Sequence, residues 1–309
     1  MSPALTVIVG LLAMAGQQPP QGSAVPSCRS VIDVHLHAYD KDGRFENAVP
    51  NPETGAPMAA RNGLDHRRLL LSTLRSSHVV RGIVSNRPLS AQEGAVADSA
   101  GMLRLGYSLE ELPTAEDLAR IRQLHKEGRL TSIGEVETPY QGIRYDDPLM
   151  EPLWDLAEEL DLPVMLHTGA GPTDGYRNNP RKRLGSTDVF ALEEVILRHP
   201  KIRIVLQHMG YPMGDATLAL MGAYSNVYLD TGATDWLVAR PAFHSYLRKF
   251  VDAGYGDRIM FGSDAMTWPD AIPLAIEGVQ SSSLSLSQKR DILYRNARRF
   301  FRWTDLPDC

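Results

Sequence analysis

Cysteine is nearly absent from this chain, with two in 309 residues, Cys28 and Cys309, close to its two ends. Neither sits in a CxxC or mixed Cys/His pattern, which excludes structural zinc held by thiolates. Long apolar runs are also missing. The longest, ALTVIVGLLAMA at 4–15, falls short of the roughly 20 residues that a membrane span needs. No block of like charge occurs, and a net charge of -5 with both signs interspersed gives no reason to expect nucleic acid or an anionic membrane as partner. That leaves a small molecule as the expected partner, with a homo-oligomer open. No serine lies in a GxSxG elbow, which argues against a serine hydrolase.

Charge is missing altogether from Met1 to Pro26. An apolar stretch followed by the small-x-small site Ala13-Met14-Ala15 fits a secretory signal peptide, although the usual positive charge at its start is lacking. Residues 1–25 are therefore set aside as a leader and 26–309 taken as one domain. Export to the periplasm or the exterior is expected, and a cytoplasmic location if the leader is not a functional signal.

What is present is alternation. Eight β-branched apolar runs recur: VIDVHLH (31–37), VVRGIVS (79–85), MLRLGYS (102–108), TSIGEVE (131–137), PVMLHTG (163–169), IRIVLQHM (202–209), NVYLDTG (226–232) and RIMFGSD (258–264). Amphipathic stretches with helix-start and helix-stop signals separate most of them, at 116–128, 147–160 and 187–200, with tail helices at 240–253 and 287–302. Strands alternating with helices call for a parallel sheet with right-handed crossovers, and eight units close into a (β/α)₈ TIM barrel. The rival, an open doubly wound sheet, expects a glycine-rich turn after the first strand, where this chain has His37-Ala38-Tyr39-Asp40. A long insertion, 38–63, is placed over the barrel mouth.

The residues able to bind a metal fall at strand ends. His35 and His37 end the first run, Glu135 the fourth, His167 the fifth, His208 the sixth and Asp264 the eighth. In a barrel the C-terminal ends of the strands build the active site, and neutral imidazoles with carboxylates suit a borderline divalent cation. Any one of these residues has an ordinary structural explanation. Their joint placement does not, and the other histidines, His66, His78, His125, His199 and His244, lie in helical or flanking stretches.

The pattern resembles the amidohydrolase superfamily, in particular the amidohydrolase-related (amidohydrolase 2 type) TIM-barrel enzymes that include small-lactone hydrolases and metal-dependent decarboxylases. The motifs carrying the resemblance are IDVHLH at 32–37, IGEVE at 133–137, LPVMLHTG at 162–169, LRHPKIRIVLQHMGYP at 197–212 and RIMFGSD at 258–264. The resemblance implies that His35 and His37 bind the more buried metal with Asp264 near it. His167 and His208 complete that site or form a second. Glu135 takes the position where other members carry a carboxylated lysine, and no lysine lies in 131–137. Glu137 is its rival, kept as a substrate or supporting group, and Asp33 is expected to orient an imidazole.

A divalent ion acidifies water and polarises carbonyls. Asp264 and His208 are accordingly the expected catalytic residues, and zinc is the default metal, as one ion or two, with manganese, iron or cobalt fitting the same ligands. The expected activity is hydrolysis of a small anionic lactone, ester or amide. The alternatives are decarboxylation of a small carboxylic acid and a silent barrel that only binds metal or ligand. The basic loop 169–186 supplies Arg177 and Arg181, and with Tyr176 and Trp268 these are the expected substrate contacts. Barrel geometry also brings Cys28, before the first strand, and Cys309, after the last helix, to the same face. A bridge between them would stabilise by about 4–5 kcal/mol at most, with two free thiols as the alternative.

Overall fold

The computed structural model describes residues 28–40, 43–46, 48–86, 88–171, 174–177 and 179–309; the leader inferred for 1–25 lies outside them. All eight apolar runs form strands: β1 Val31–Leu36, β2 Val79–Val84, β3 Leu103–Leu109, β4 Leu130–Val136, β5 Val164–Leu166, β6 Ile204–Leu206, β7 Val227–Asp230 and β8 Ile259–Met260. Each pairs in parallel with the next in sequence order. Between β8 and β1 the ring is drawn together by single bonds: Val34 N–H donates to the Phe261 carbonyl (3.0 Å) and Asp264 N–H to the His35 carbonyl (2.8 Å). The barrel is nearly closed.

The main outer helices are α1 Gly63–Ser76, α2 Leu89–Asp98, α3 Ala115–Lys126, α4 Glu151–Glu159, α5 Ala191–Arg198, α6 Gly214–Ala223, α7 Arg240–Phe250 and α8 Ala271–Gln280. Side-chain caps set the starts of two of them. Asn62 caps α1 by accepting from the Asp65 N–H, and Thr114 with Asp117 makes a reciprocal capping box on α3, so first-turn donors are satisfied. Helix α5 buries Ala191, Leu192, Val195 and Ile196, one apolar stripe, while its acidic residues Glu193 and Glu194 stand in the first turn, where the helix dipole favours them.

Strand parity sorts the core into two layers. On β5, Val164 and Leu166 join the cluster between sheet and helices, whereas Met165 joins the barrel interior with Ile32, Val34, Ile83, Val205 and Met260. His167 continues the inward parity two residues beyond Met165. At the N-terminal end of the barrel the chain's own C-terminus closes the interior, with Tyr294, Ala297, Phe300, Trp303 and Leu306 packed beneath the strands. Cys28 and Cys309 are bonded there as a disulfide, Cα–Cα 5.4 Å, which decides between the two states the sequence leaves open. Arg290 donates to the Cys28 carbonyl (2.7 Å) and Arg295 to that of Cys309 (2.7 Å), so both ends are tied to the same tail segment.

The insertion after β1 makes a satellite cluster of Tyr39, Phe45 and Ala60. It is pinned to the segment following β8, where the Trp268 indole donates to the Val49 carbonyl (2.9 Å) and Asn51 donates to Asp270 (3.0 Å). The insertion thus forms one wall of the barrel mouth.

Candidate metal centre

The six donors expected from sequence converge at the C-terminal ends of the strands, all buried. Glu135 is the hub. Its Oε2 lies 3.1 Å from His35 Nε2 and 3.6 Å from His37 Nε2, and its Oε1 lies 2.8 Å from His167 Nδ1 and 3.5 Å from His208 Nε2. Asp264 Oδ1 faces His37 Nε2 at 2.8 Å and His35 Nε2 at 3.7 Å. Three triplets, His35/His37/Asp264, His35/Glu135/His208 and Glu135/Glu137/His167, each bring their ligand atoms within 4.8 Å of one another. Donors placed about 2.0–2.2 Å from a shared ion span about that much.

A divalent cation fits this donor set. Asp264 Oδ1 is buried and makes no well-aligned hydrogen bond among the described residues, although an imidazole nitrogen stands 2.8 Å away, as two groups facing one cation would. His208 Nε2 and His167 Nδ1 also face each other at 3.0 Å. For His35 and His208 the far ring nitrogen has a partner that sets the tautomer. His208 Nδ1 lies 2.9 Å from the Gly232 carbonyl, to which it must donate, leaving Nε2 bare for a ligand bond.

Charge follows the same geometry. Burial opposes a proton on His35, yet Asp264, Glu135 and Asp230 together hold its pKa well above the ordinary value. Burial likewise pushes Glu135 up, and the charge of His35, with the His167 and His208 imidazoles beside its oxygens, more than reverses this. Asp264 is held low against burial by His35 and His37. Glu137 is driven the other way, by burial and by the charges of Glu135, Glu110 and Asp264. The sequence left Glu135 and Glu137 as rivals; Glu135 meets all four imidazoles, and Glu137 faces the cavity above.

Asp33 departs from expectation. The β1–β2 register shifts between Asp33 and Leu36, so period-2 parity does not carry from Asp33 to His35. Asp33 Oδ1 accepts backbone N–H groups, of His35 (3.1 Å) and Ser263 (3.0 Å), and orients no imidazole. That task falls to Asp230, which the sequence reading passed over. Its Oδ2 lies 3.1 Å from His35 Nδ1, and its Oδ1 accepts from the backbone N–H groups of His208 (3.0 Å) and Gly232 (2.9 Å). The available signal was its place at the end of β7, equivalent to the other strand-end acids.

The expected substrate contacts stand outside the mouth. Arg177 is exposed and pairs with Asp174 (3.1 Å), and exposed Arg181 pairs with Glu111 (3.3 Å). Tyr176 is 54% exposed and stacks under Arg177. Trp268 packs on Trp236 and holds the insertion. A cavity of about 370 Å³ above the donors is instead walled by residues including Tyr39, Arg44, Asn86, Glu110, Tyr140 and Asn179. Tyr140 lies against His167, ring centroids 4.6 Å apart, and burial raises its pKa.

The profile of the amidohydrolase family matches residues 32–303. A curated relative, protein fluG of Emericella nidulans, is 28% identical over 163 residues, covering 47% of this chain and 18% of that protein; the match thus spans less than a fifth of its length. Among solved structures, a dihydroxybenzoic acid decarboxylase from Polaromonas sp. JS666 with bound manganese and 2-nitroresorcinol superposes with TM-score 0.63 at 17% identity, covering 89% of this chain and 97% of that one. A protein assigned as a 2-pyrone-4,6-dicarboxylic acid hydrolase, from Pseudomonas putida, gives TM-score 0.59 at 16% identity, with 90% and 99% covered. At these identities the structural likeness speaks for the fold.

Proposed function

This chain belongs to the amidohydrolase family, and from that premise we propose that it is a metal-dependent hydrolase acting on a lactone, ester or amide of a small molecule. The observation that carries the reading is Glu135, whose two oxygens turn to different histidine pairs, His35/His37 and His167/His208. A carboxylate so placed suits a site for two cations, and paired sites favour activation of water. Zinc is the proposed metal on ligand chemistry, with manganese the first competitor because a fold neighbour binds it.

A divalent cation among these six donors supplies Lewis acidity toward a carbonyl oxygen and makes water a nucleophile near neutral pH. The chain's own residues do the rest. Asp230 and the Gly232 carbonyl hold His35 and His208 in the ligating tautomer. Asp264, at the floor of the cavity and with no well-aligned hydrogen bond to its Oδ1 among the described residues, takes the proton of the attacking water and returns it to the leaving group. The Cys28–Cys309 bridge supports export, since such bonds persist in oxidising compartments.

Decarboxylation remains the second reading, because the decarboxylase neighbour matches the fold as well as the hydrolase neighbour does. One assay separates the two. Purified protein of known metal content is offered lactones, esters, amides and hydroxybenzoic acids, with product acid and carbon dioxide both measured. Acid without carbon dioxide is expected; carbon dioxide release with no acyl cleavage would assign the second reaction, and no turnover by metal-loaded protein would favour a silent barrel.

A further inference from the structure

The cavity above the donors is lined by acidic side chains and an arginine that do not pair with one another among the described residues. Glu110 follows β3 and Glu137 follows β4, just beyond the paired residues Leu109 and Val136. The Glu137 N–H donates to the Leu109 carbonyl at 2.7 Å, so the two glutamates stand side by side on the rim. Both line the cavity. Among the described residues neither has an arginine or lysine within ion-pair distance, whereas the next residue, Glu111, takes Arg181. The guanidinium groups of Arg177 and Arg181 on the basic loop thus pair elsewhere, with Asp174 and Glu111.

One cation lines the same cavity among the described residues: Arg44, on the short helix Gly43–Glu46, its guanidinium 4.7 Å from the Tyr39 ring centroid. Among the described residues no carboxylate pairs with it. Lys182, the other cation close by, lies behind Tyr140, with its ammonium 4.7 Å from that ring. The remaining polar wall, Asn86, Gln141 and Asn179, is neutral. Two acids on one part of the wall and one guanidinium on another, none of them paired among the described residues, form a complement to a zwitterion.

We propose that the substrate is a small amino-acid derivative, an amide or ester bearing a free ammonium group that Glu110 and Glu137 receive and a carboxylate that Arg44 receives. This rests on the hydrolase reading for the reaction and goes beyond it in naming the substrate class. The ammonium–carboxylate contacts place the scissile carbonyl over the metal ligands in a cavity of about 370 Å³, room for a molecule of dipeptide size. For an amide the water oxygen bonds to the carbonyl carbon, the C–N bond breaks, and both of the water's protons end on the leaving nitrogen, so that a carboxylate and an ammonium leave. Because Glu137 also shares a possible metal triplet with Glu135 and His167, the test turns on Glu110, which belongs to none.

Binding is measured by calorimetry on the metal-loaded protein with 4-aminobutanoate and butanoate, neither of which has a bond to hydrolyse. The wild type is expected to bind the amino acid about ten-fold more tightly or better, and Glu110→Gln to reduce that ratio by about ten-fold. Equal or tighter binding of butanoate by the wild type, or an unchanged ratio in Glu110→Gln, overturns the inference. Turnover of alanylalanine and N-acetylalanylalanine is followed alongside. If neither is cleaved while the calorimetric preference for the amine holds and depends on Glu110, the hydrolase reading falls and the recognition of an ammonium group stands.

Discussion

Asp230 Oδ2 lies 3.1 Å from His35 Nδ1, joining the end of β7 to the end of β1 across the centre of the site. The same carboxylate holds the backbone at His208 and Gly232, and His208 itself has a positive φ of 58°. One buried acid thus sets the tautomer of one ligand and the backbone of another. Replacing it by asparagine keeps the shape and removes the charge. Asp230→Asn is expected to weaken metal binding by about 10–100-fold, read by competition with a chromophoric chelator; an unchanged affinity would remove Asp230 from the site.

The hub role of Glu135 predicts a change in stoichiometry. Elemental analysis should find fewer ions per chain in Glu135→Gln than in the wild type, falling toward one if two are bound. Glu137→Gln should keep the wild-type count. The reverse pattern would transfer the bridging role to Glu137.

Two glycines make room for His35. A Cβ at Gly262 would stand 2.6 Å from His35 Cβ, and one at Gly232 would stand 2.5 Å from His35 Nδ1. The imidazole is held on its far nitrogen by Asp230 and cannot swing aside freely. Gly262→Ala should cost about 1–3 kcal/mol and lower metal content, whereas Gly185→Ala, with nothing within 4 Å of the new atom, should do neither. Denaturant melts of the two variants compare them directly.

His66 gives a pH dependence outside the ligand set. Its Nε2 lies 2.9 Å from the Met266 carbonyl, and burial, aided by the charge of His37, lowers its pKa from 6.5 to about 4. The unfolded chain accepts this proton near pH 6.5 and the folded chain refuses it until about pH 4. Its stabilising contribution is therefore complete above the unfolded value and is lost as pH falls through the window between them. Between pH 7 and 5 the loss should reach about 2 kcal/mol. His66→Gln should flatten that part of the stability–pH curve; equal slopes for the two proteins would mean that His66 binds its proton alike in the folded and unfolded chains.

The disulfide closes nearly the whole chain. Cys28→Ser/Cys309→Ser, or reduction of the wild type, should lower unfolding free energy by about 2–5 kcal/mol while leaving metal content intact, since the bridge lies at the end of the barrel away from the donors. Thermal melts with and without reductant, run beside the double variant, measure the first effect, and elemental analysis the second.

The fold was legible because its signals are local. The eight runs announced the strands, β3 included although its run is short, and caps such as Thr114–Asp117 mark helix starts within four residues. Helices α1, α2, α6 and α8 were less clear from pattern: α2 begins after a proline with no side-chain cap, and α6 is apolar nearly all round. The six donors were legible for the same local reason, each lying at the end of an apolar run where a barrel opens.

What sequence alone determined, then, was which residues stand at the mouth, because chain order and two-residue strand parity place a side chain without reference to distant partners. Which of them touch was decided by tertiary structure. A register shift in β1 turned Asp33 to backbone N–H groups and left the His35 imidazole to Asp230, 195 positions away. Arg177 and Arg181 went to Asp174 and Glu111, the carboxylates nearest in space, while Glu110 and Glu137 were left lining the cavity with no basic partner among the described residues. Counter-charges and hydrogen bonds are chosen by distance after closure, and distance across a barrel is written in no short stretch of the chain.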